Sequence, residues 1–153
     1  MFYYSAAGRL AAGQKIRIFN FGKMKRDFTY VDDIVEGIMR VLQGAPARST
    51  GADGLPEAPH AVYNIGGGQP VELMDFISTL SEELVRVGVL DEGFVLEDHL
   101  DLVGMQPGDV PVTFADTADL ERDYGFTPAT GIREGLRKFC EWYRDYGKPE
   151  AQK

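Results

Sequence analysis

The densest positive charge in the chain is Lys23-Met24-Lys25-Arg26, which leads directly into Asp27-Phe28-Thr29-Tyr30-Val31. Two ammonium groups beside a forked guanidinium suit a small anion such as a phosphate ester. The competing reading is a solvated turn that feeds a core strand. A second segment, Met105-Gln106-Pro107-Gly108-Asp109-Val110-Pro111, holds one carboxylate on a Pro/Gly frame. By itself it reads as a capped turn. Gly66-Gly67-Gly68 lies between an extended stretch and a helical one, where phosphate-cradling loops occur. It lacks the Lys-Ser/Thr pair of a P-loop and the spacing of a dinucleotide fingerprint, so we read it as a structural connection.

Other chemistries have no anchor. His60 and His99 lack companions at zinc-ligand spacing and read as surface residues. Cys140, the single cysteine, falls on an apolar helical stripe and reads as core, and one cysteine excludes an internal disulfide. No serine sits in a G-x-S-x-G context. Against 24 Asp and Glu stand 16 Lys and Arg, a net charge of −8. Nucleic-acid affinity rests on neutralising phosphates with a basic surface, so a nucleic-acid partner is disfavoured. No apolar run approaches the ~18–20 residues of a membrane span. Met1-Phe2-Tyr3-Tyr4 also lacks the basic and apolar regions of a signal peptide. The expectation is a cytoplasmic chain with no membrane partner.

The elements that must position these residues follow from periodicity. At 153 residues, 44% apolar and 26% charged, the chain has the length of one domain, expected over 1–153. Phe2–Ala12 reads as a helix stopped by Gly13, Ile16–Phe19 as a strand, 20–25 as a turn and 26–31 as a second extended segment. Asp32 and Asp33 lie where a helix start favours anions, and Ile34, Val35, Ile38, Val41 and Leu42 then share a helical face. The Gly/Pro-rich stretch 44–59 reads as a surface loop and Ala61–Ile65 as a strand. Leu73, Phe76, Ile77, Leu80, Leu84 and Val87 form the clearest helical stripe. A short strand is expected at 94–96 within an irregular stretch, and another extended segment at 112–115. Asp116 can cap a short helix that ends before Gly125. The last helix is expected to be capped by Thr130, with Ile132, Leu136, Phe139, Cys140 and Tyr143 sharing one face. The fold class is α/β, with several short strands and four or five helices.

Lys25-Arg26-Asp27-Phe28-Thr29-Tyr30-Val31-Asp32-Asp33, then Val62-Tyr63-Asn64-Ile65-Gly66, then Met105-Gln106-Pro107-Gly108-Asp109-Val110-Pro111 carry a resemblance in their order and spacing. They resemble the extended short-chain dehydrogenase/reductase superfamily, and more narrowly the C-terminal half of UDP-glucuronate 4-epimerases. The similarity runs from about Met1 to Tyr146. It is supported by Pro70-Val71-Glu72-Leu73-Met74-Asp75-Phe76-Ile77, by the run from Asp119 to Pro128, and by Phe139-Cys140-Glu141-Trp142-Tyr143.

The resemblance implies a small mixed α/β substrate-binding lobe without the Rossmann sheet. In the family, the N-terminal half holds NAD and supplies a Tyr-x-x-x-Lys pair. The complete enzyme oxidises the sugar at C4, turns the keto intermediate and returns hydride to its other face. None of the seven tyrosines here is followed four residues later by lysine, and there is no dinucleotide fingerprint. The expectation is therefore a chain with no catalytic residue and no cofactor of its own, inert alone. It would bind a UDP-sugar and be partnered by the missing Rossmann half. Residue by residue, the resemblance places Arg26 on the nucleotide diphosphate and Asp109 on the ribose hydroxyls. It places Arg17 and Phe19 in the strand lining the uracil, and Gln106 where many relatives carry a second phosphate-binding arginine. Glutamine cannot supply that charge. The alternatives are a fragment of a nucleotide-sugar dehydratase or decarboxylase, or a stand-alone non-catalytic binding or interaction domain.

Overall fold

The structure, a computed structural model, describes residues 2–44 and 46–147. In chain order the elements are α1 (Phe2–Ala11), β1 (Ile16–Ile18), β2 (Lys25–Arg26), α2 (Val31–Leu42), β3 (Ser49–Thr50), β4 (Pro56–Glu57), β5 (Val71–Glu72), α3 (Leu73–Arg86), β6 (Leu100–Leu102), α4 (Ala118–Tyr124) and α5 (Ile132–Tyr146). Among the described residues no sheet exceeds two strands: β1 pairs parallel with β6, β2 antiparallel with β5, and β3 antiparallel with β4. This is the expected mixed α/β class without a Rossmann sheet. The contacts divide the chain into two compact units. Of the described residues, the first comprises 2–26, 70–113 and 131–147; the second comprises 27–44, 46–69 and 114–130. Met1 of the expected N-terminal segment and Ala45 of the expected loop lie outside the described residues.

In the first unit, α3 buries Phe76, Ile77, Leu80 and Leu84, a spacing that places them on one face of a 3.6-residue helix. That face meets Leu136, Cys140 and Tyr143 of α5 and Ala6, Ala7 and Leu10 of α1. Gly13, at φ +67, turns the chain out of α1, where a left-handed residue suits glycine. β1 then alternates, with Ile16 and Ile18 inward and Arg17 outward. Glu83, nearly buried on α3, is neutralised by Arg86 at 2.5 Å and by Arg133 of α5 at 3.3 Å.

In the second unit, α2 buries only Gly37, where an added Cβ would stand 3.1 Å from both Ile65 and Phe126. The rest of its apolar stripe is largely unburied, with Val31, Val35, Ile38, Met39 and Leu42 all exposed. The stretch 44–59 contains the β3–β4 hairpin, closed by Ser49 Oγ donating to Glu57 at 2.7 Å.

Four local expectations are corrected. Ala61–Ile65 forms no strand: β-forming residues need a ladder partner, and none runs beside them among the described residues. The segment is instead tied by side chains, with Asn64 donating to the Asp116 carbonyl and Tyr63 to Asp123. The strand expected at 94–96 appears at 100–102. The His99 ring stacks on Phe94 at 4.4 Å and bonds the Val95 carbonyl, curling 96–99 into a 3₁₀ turn. The extended segment at 26–31 is cut short because α2 begins at Val31, leaving Asp32 and Asp33 inside its first turn. Gly131, not Thr130, caps α5; the Thr130 amide donates to the Asp33 carboxylate.

Candidate functional site

Arg26 sits on a strand with neighbours on both sides. On one side Lys25 and Arg26 pair antiparallel with Glu72 and Val71. On the other, the Lys25 amide donates to the Pro111 carbonyl at 2.8 Å and the Thr113 amide to the Lys25 carbonyl at 3.2 Å, a parallel bridge to 111–113. Further back, β1 and β6 form their own parallel ladder, with Arg17 opposite Asp101, and the Val103 amide donates to the Ile18 carbonyl. The chain from 16 to 26 and the chain from 100 to 113 therefore run side by side, pinned at both ends. Between the pins stand two loops, 19–24 and 104–110. The five residues expected at the site all lie on this pair of strips.

Their individual settings differ. Arg26 is half-buried; its Nη1 donates to the Lys25 carbonyl at 2.9 Å and the Pro111 carbonyl at 3.3 Å. Carbonyls orient a guanidinium without cancelling its charge, and no carboxylate pairs with Arg26 or Lys23 among the described residues. Lys25 is partly compensated by Glu72 at 2.9 Å, and Arg17 by Asp101 at 3.3 Å. Gln106 and Asp109 open and close one tight turn: the Asp109 amide donates to the Gln106 carbonyl at 3.1 Å. Pro107 and Gly108, the latter at φ +89, are the residues a type II turn favours at its two central positions. Gln106 is exposed and Asp109 half-buried. Phe19 opens the 3₁₀ turn that follows β1. Arg26 is thus brought against the Pro111 end of the segment that carries Asp109, whereas Arg17 and Phe19 stand at the other pin.

The glycine turn is accounted for structurally. Gly67 donates its amide to Thr29 Oγ1 at 3.0 Å, and Gly68 donates to Asp27 Oδ2 at 3.1 Å. Asp27 Oδ2 also accepts the Ala115 amide at 3.0 Å. Those amides face protein oxygens, which does not fit a dinucleotide phosphate. Asp27 is the residue that sequence reasoning missed. No local signal marked it, because the amides it accepts from lie 41 and 88 positions away. Cys140 is buried on α5, and burial, reinforced by the nearby Glu83 carboxylate, pushes its thiol up to about 12. In the second unit a hollow is lined by Glu36, Arg40, Asp123 and Tyr124. Arg40 is held there by Glu36 at 2.7 Å and lies 5.0 Å over the Phe126 ring. Asp123 accepts from Tyr63, pushing that phenol up to about 12, and is itself held low chiefly by Arg122. These charges are satisfied by one another.

The basic strand and the Pro-Gly-Asp turn, held side by side by backbone bonds, belong to one small α/β module. A UDP-glucuronic acid 4-epimerase from Bacillus cereus, solved with UDP-glucuronic acid and NAD, shares the fold at a TM-score of 0.70 and 23% identity. The match covers 96% of this chain and 39% of that one. Residues 2–66 match the NAD dependent epimerase/dehydratase family. A probable UDP-glucuronate 4-epimerase from Rhizobium meliloti is 40% identical over 86% of this chain and 38% of its own length. Protein CapI from Staphylococcus aureus is 43% identical over 88% of this chain and 39% of its own. The chain is thus similar to the NAD dependent epimerase/dehydratase family over residues 2–66 and to UDP-glucuronate 4-epimerases over most of its own length. It spans about two-fifths of the length of the relatives it matches.

Proposed function

We propose that the chain is the sugar-nucleotide-binding, C-terminal part of an NAD-dependent nucleotide-sugar 4-epimerase acting on UDP-glucuronate. The observation that carries this reading is the parallel bridge that lays the Arg26 strand against 111–113, just beyond the Gln106–Asp109 turn. Arg26 supplies forked donors to a diphosphate, with Lys23 and Lys25 raising the local potential. Asp109 accepts from the ribose hydroxyls. Arg17 and Phe19 border the uracil, and Gln106 contributes a neutral donor where charge is not available. No residue here serves as the base for the C4 hydroxyl. The cofactor and that base belong to the part of the relatives that this chain does not span, and the exposed apolar face of α2 is a surface such a part would cover.

Titration with UDP tests the reading. Charge-assisted bonds contribute about 1.5–3 kcal/mol each. A half-site without its other contacts should bind at around millimolar affinity. Arg26→Ala should remove most of that binding, and added salt should weaken the wild type, because an exposed site is screened. Wild-type binding that survives Arg26→Ala unchanged would remove Arg26 from the site.

A further inference from the structure

Resting on that diphosphate reading, we propose that Phe21 is the aromatic platform on which the base of the bound nucleotide stacks. Asn20 and Phe21, at φ 50° and 51°, are the only non-glycine residues with positive φ among the described residues. Two consecutive left-handed residues with side chains are costly, and such strain persists only where surrounding bonds impose it. Here they do. Asn20 Nδ2 donates to the Lys23 carbonyl at 2.8 Å, the Lys23 amide to the Asn20 carbonyl at 2.9 Å, and the Phe21 amide to the Val103 carbonyl at 2.9 Å.

What this strain achieves is an outward phenyl ring. β1 has just alternated Ile16 in, Arg17 out and Ile18 in, and Gly22 beside Phe21 is buried with Met74 filling the space of its Cβ. Phe21 itself is 57% exposed, so core packing does not explain it. The neighbouring loop adds two further exposed apolar side chains, Met105 and Val110. Lys23 and Arg26 follow Phe21 within five residues of sequence, neither paired with a carboxylate among the described residues. A ring followed by an ammonium and a guanidinium complements a ligand with a flat uncharged end and an anionic end. A nucleoside diphosphate has that order, and bases stack on phenyl rings through their faces.

The test is an NMR titration of the 153-residue chain with UDP and, separately, with inorganic pyrophosphate. Phe21→Ala is expected to weaken UDP binding about tenfold, within the range for losing one base–aromatic stack, and to leave pyrophosphate binding within about twofold. Phe21→Tyr, which keeps the ring, is expected to restore UDP binding. Circular dichroism of each variant checks that the fold is kept. Unchanged UDP affinity in Phe21→Ala, or equal losses for both ligands, would overturn the platform and leave the diphosphate reading standing. A wild-type chain that binds neither ligand would overturn both.

Discussion

Cys140 shows how a residue's chemistry is set by what surrounds it. On sequence it is a thiol on an apolar stripe; in the structure it is buried between helices, with its pKa pushed up to about 12 from an ordinary 9.0. The thiolate is the reactive species. A thiol-specific reagent at pH 8 should therefore modify the native chain slowly and the urea-unfolded chain fast. Equal rates in both states would contradict the buried placement. The same shift has a sign for stability. A pKa raised by folding favours the folded state fully below about 9, and that contribution is lost as pH rises towards 12. Such residues were legible because a helical stripe marks its inner face. Asp27 was not legible, because its partners lie 41 and 88 positions away and nothing in the local pattern points to them.

Elements were legible where their stabilisation is local or where one face is buried within this chain. α3 and α5 follow their 3.6-residue stripes, and Gly13 and Gly125 stop helices through left-handed backbone. Ala61–Ile65 was misread because a strand exists only by virtue of its neighbour, which composition cannot supply. The stripe of α2 was read correctly as a stripe, yet periodicity does not say what covers it. The triple-glycine turn is the element whose role the structure decides. An added Cβ at Gly66 would collide with Ala115 and stand 3.0 Å from Asp27 Oδ2. Gly66→Ala should therefore cost about 1–3 kcal/mol, as overpacking does. Urea unfolding would show it as a lowered midpoint, and an unchanged midpoint would mean that the turn is not packed on Asp27.

At the scale of the whole molecule, a chain of net charge −8 keeps a local basic strip, a contrast that suits the proposed small anionic ligand better than a polymer. The five residues of the proposed site were singled out only through the resemblance, since a basic turn and a Pro-Gly-Asp turn are each unremarkable in isolation. Bringing the two together takes parallel bonding between segments about 85 residues apart, which no local pattern encodes. The central claim is that these two strips form one diphosphate site. Its most direct test is an amide chemical-shift map of the ¹⁵N-labelled chain titrated with UDP at low salt. The account predicts perturbations concentrated in residues 17–26 and 105–113 together, fading as salt is added. Perturbations in only one of the two strips, or confined to the hollow around Arg40 and Tyr124, would contradict it.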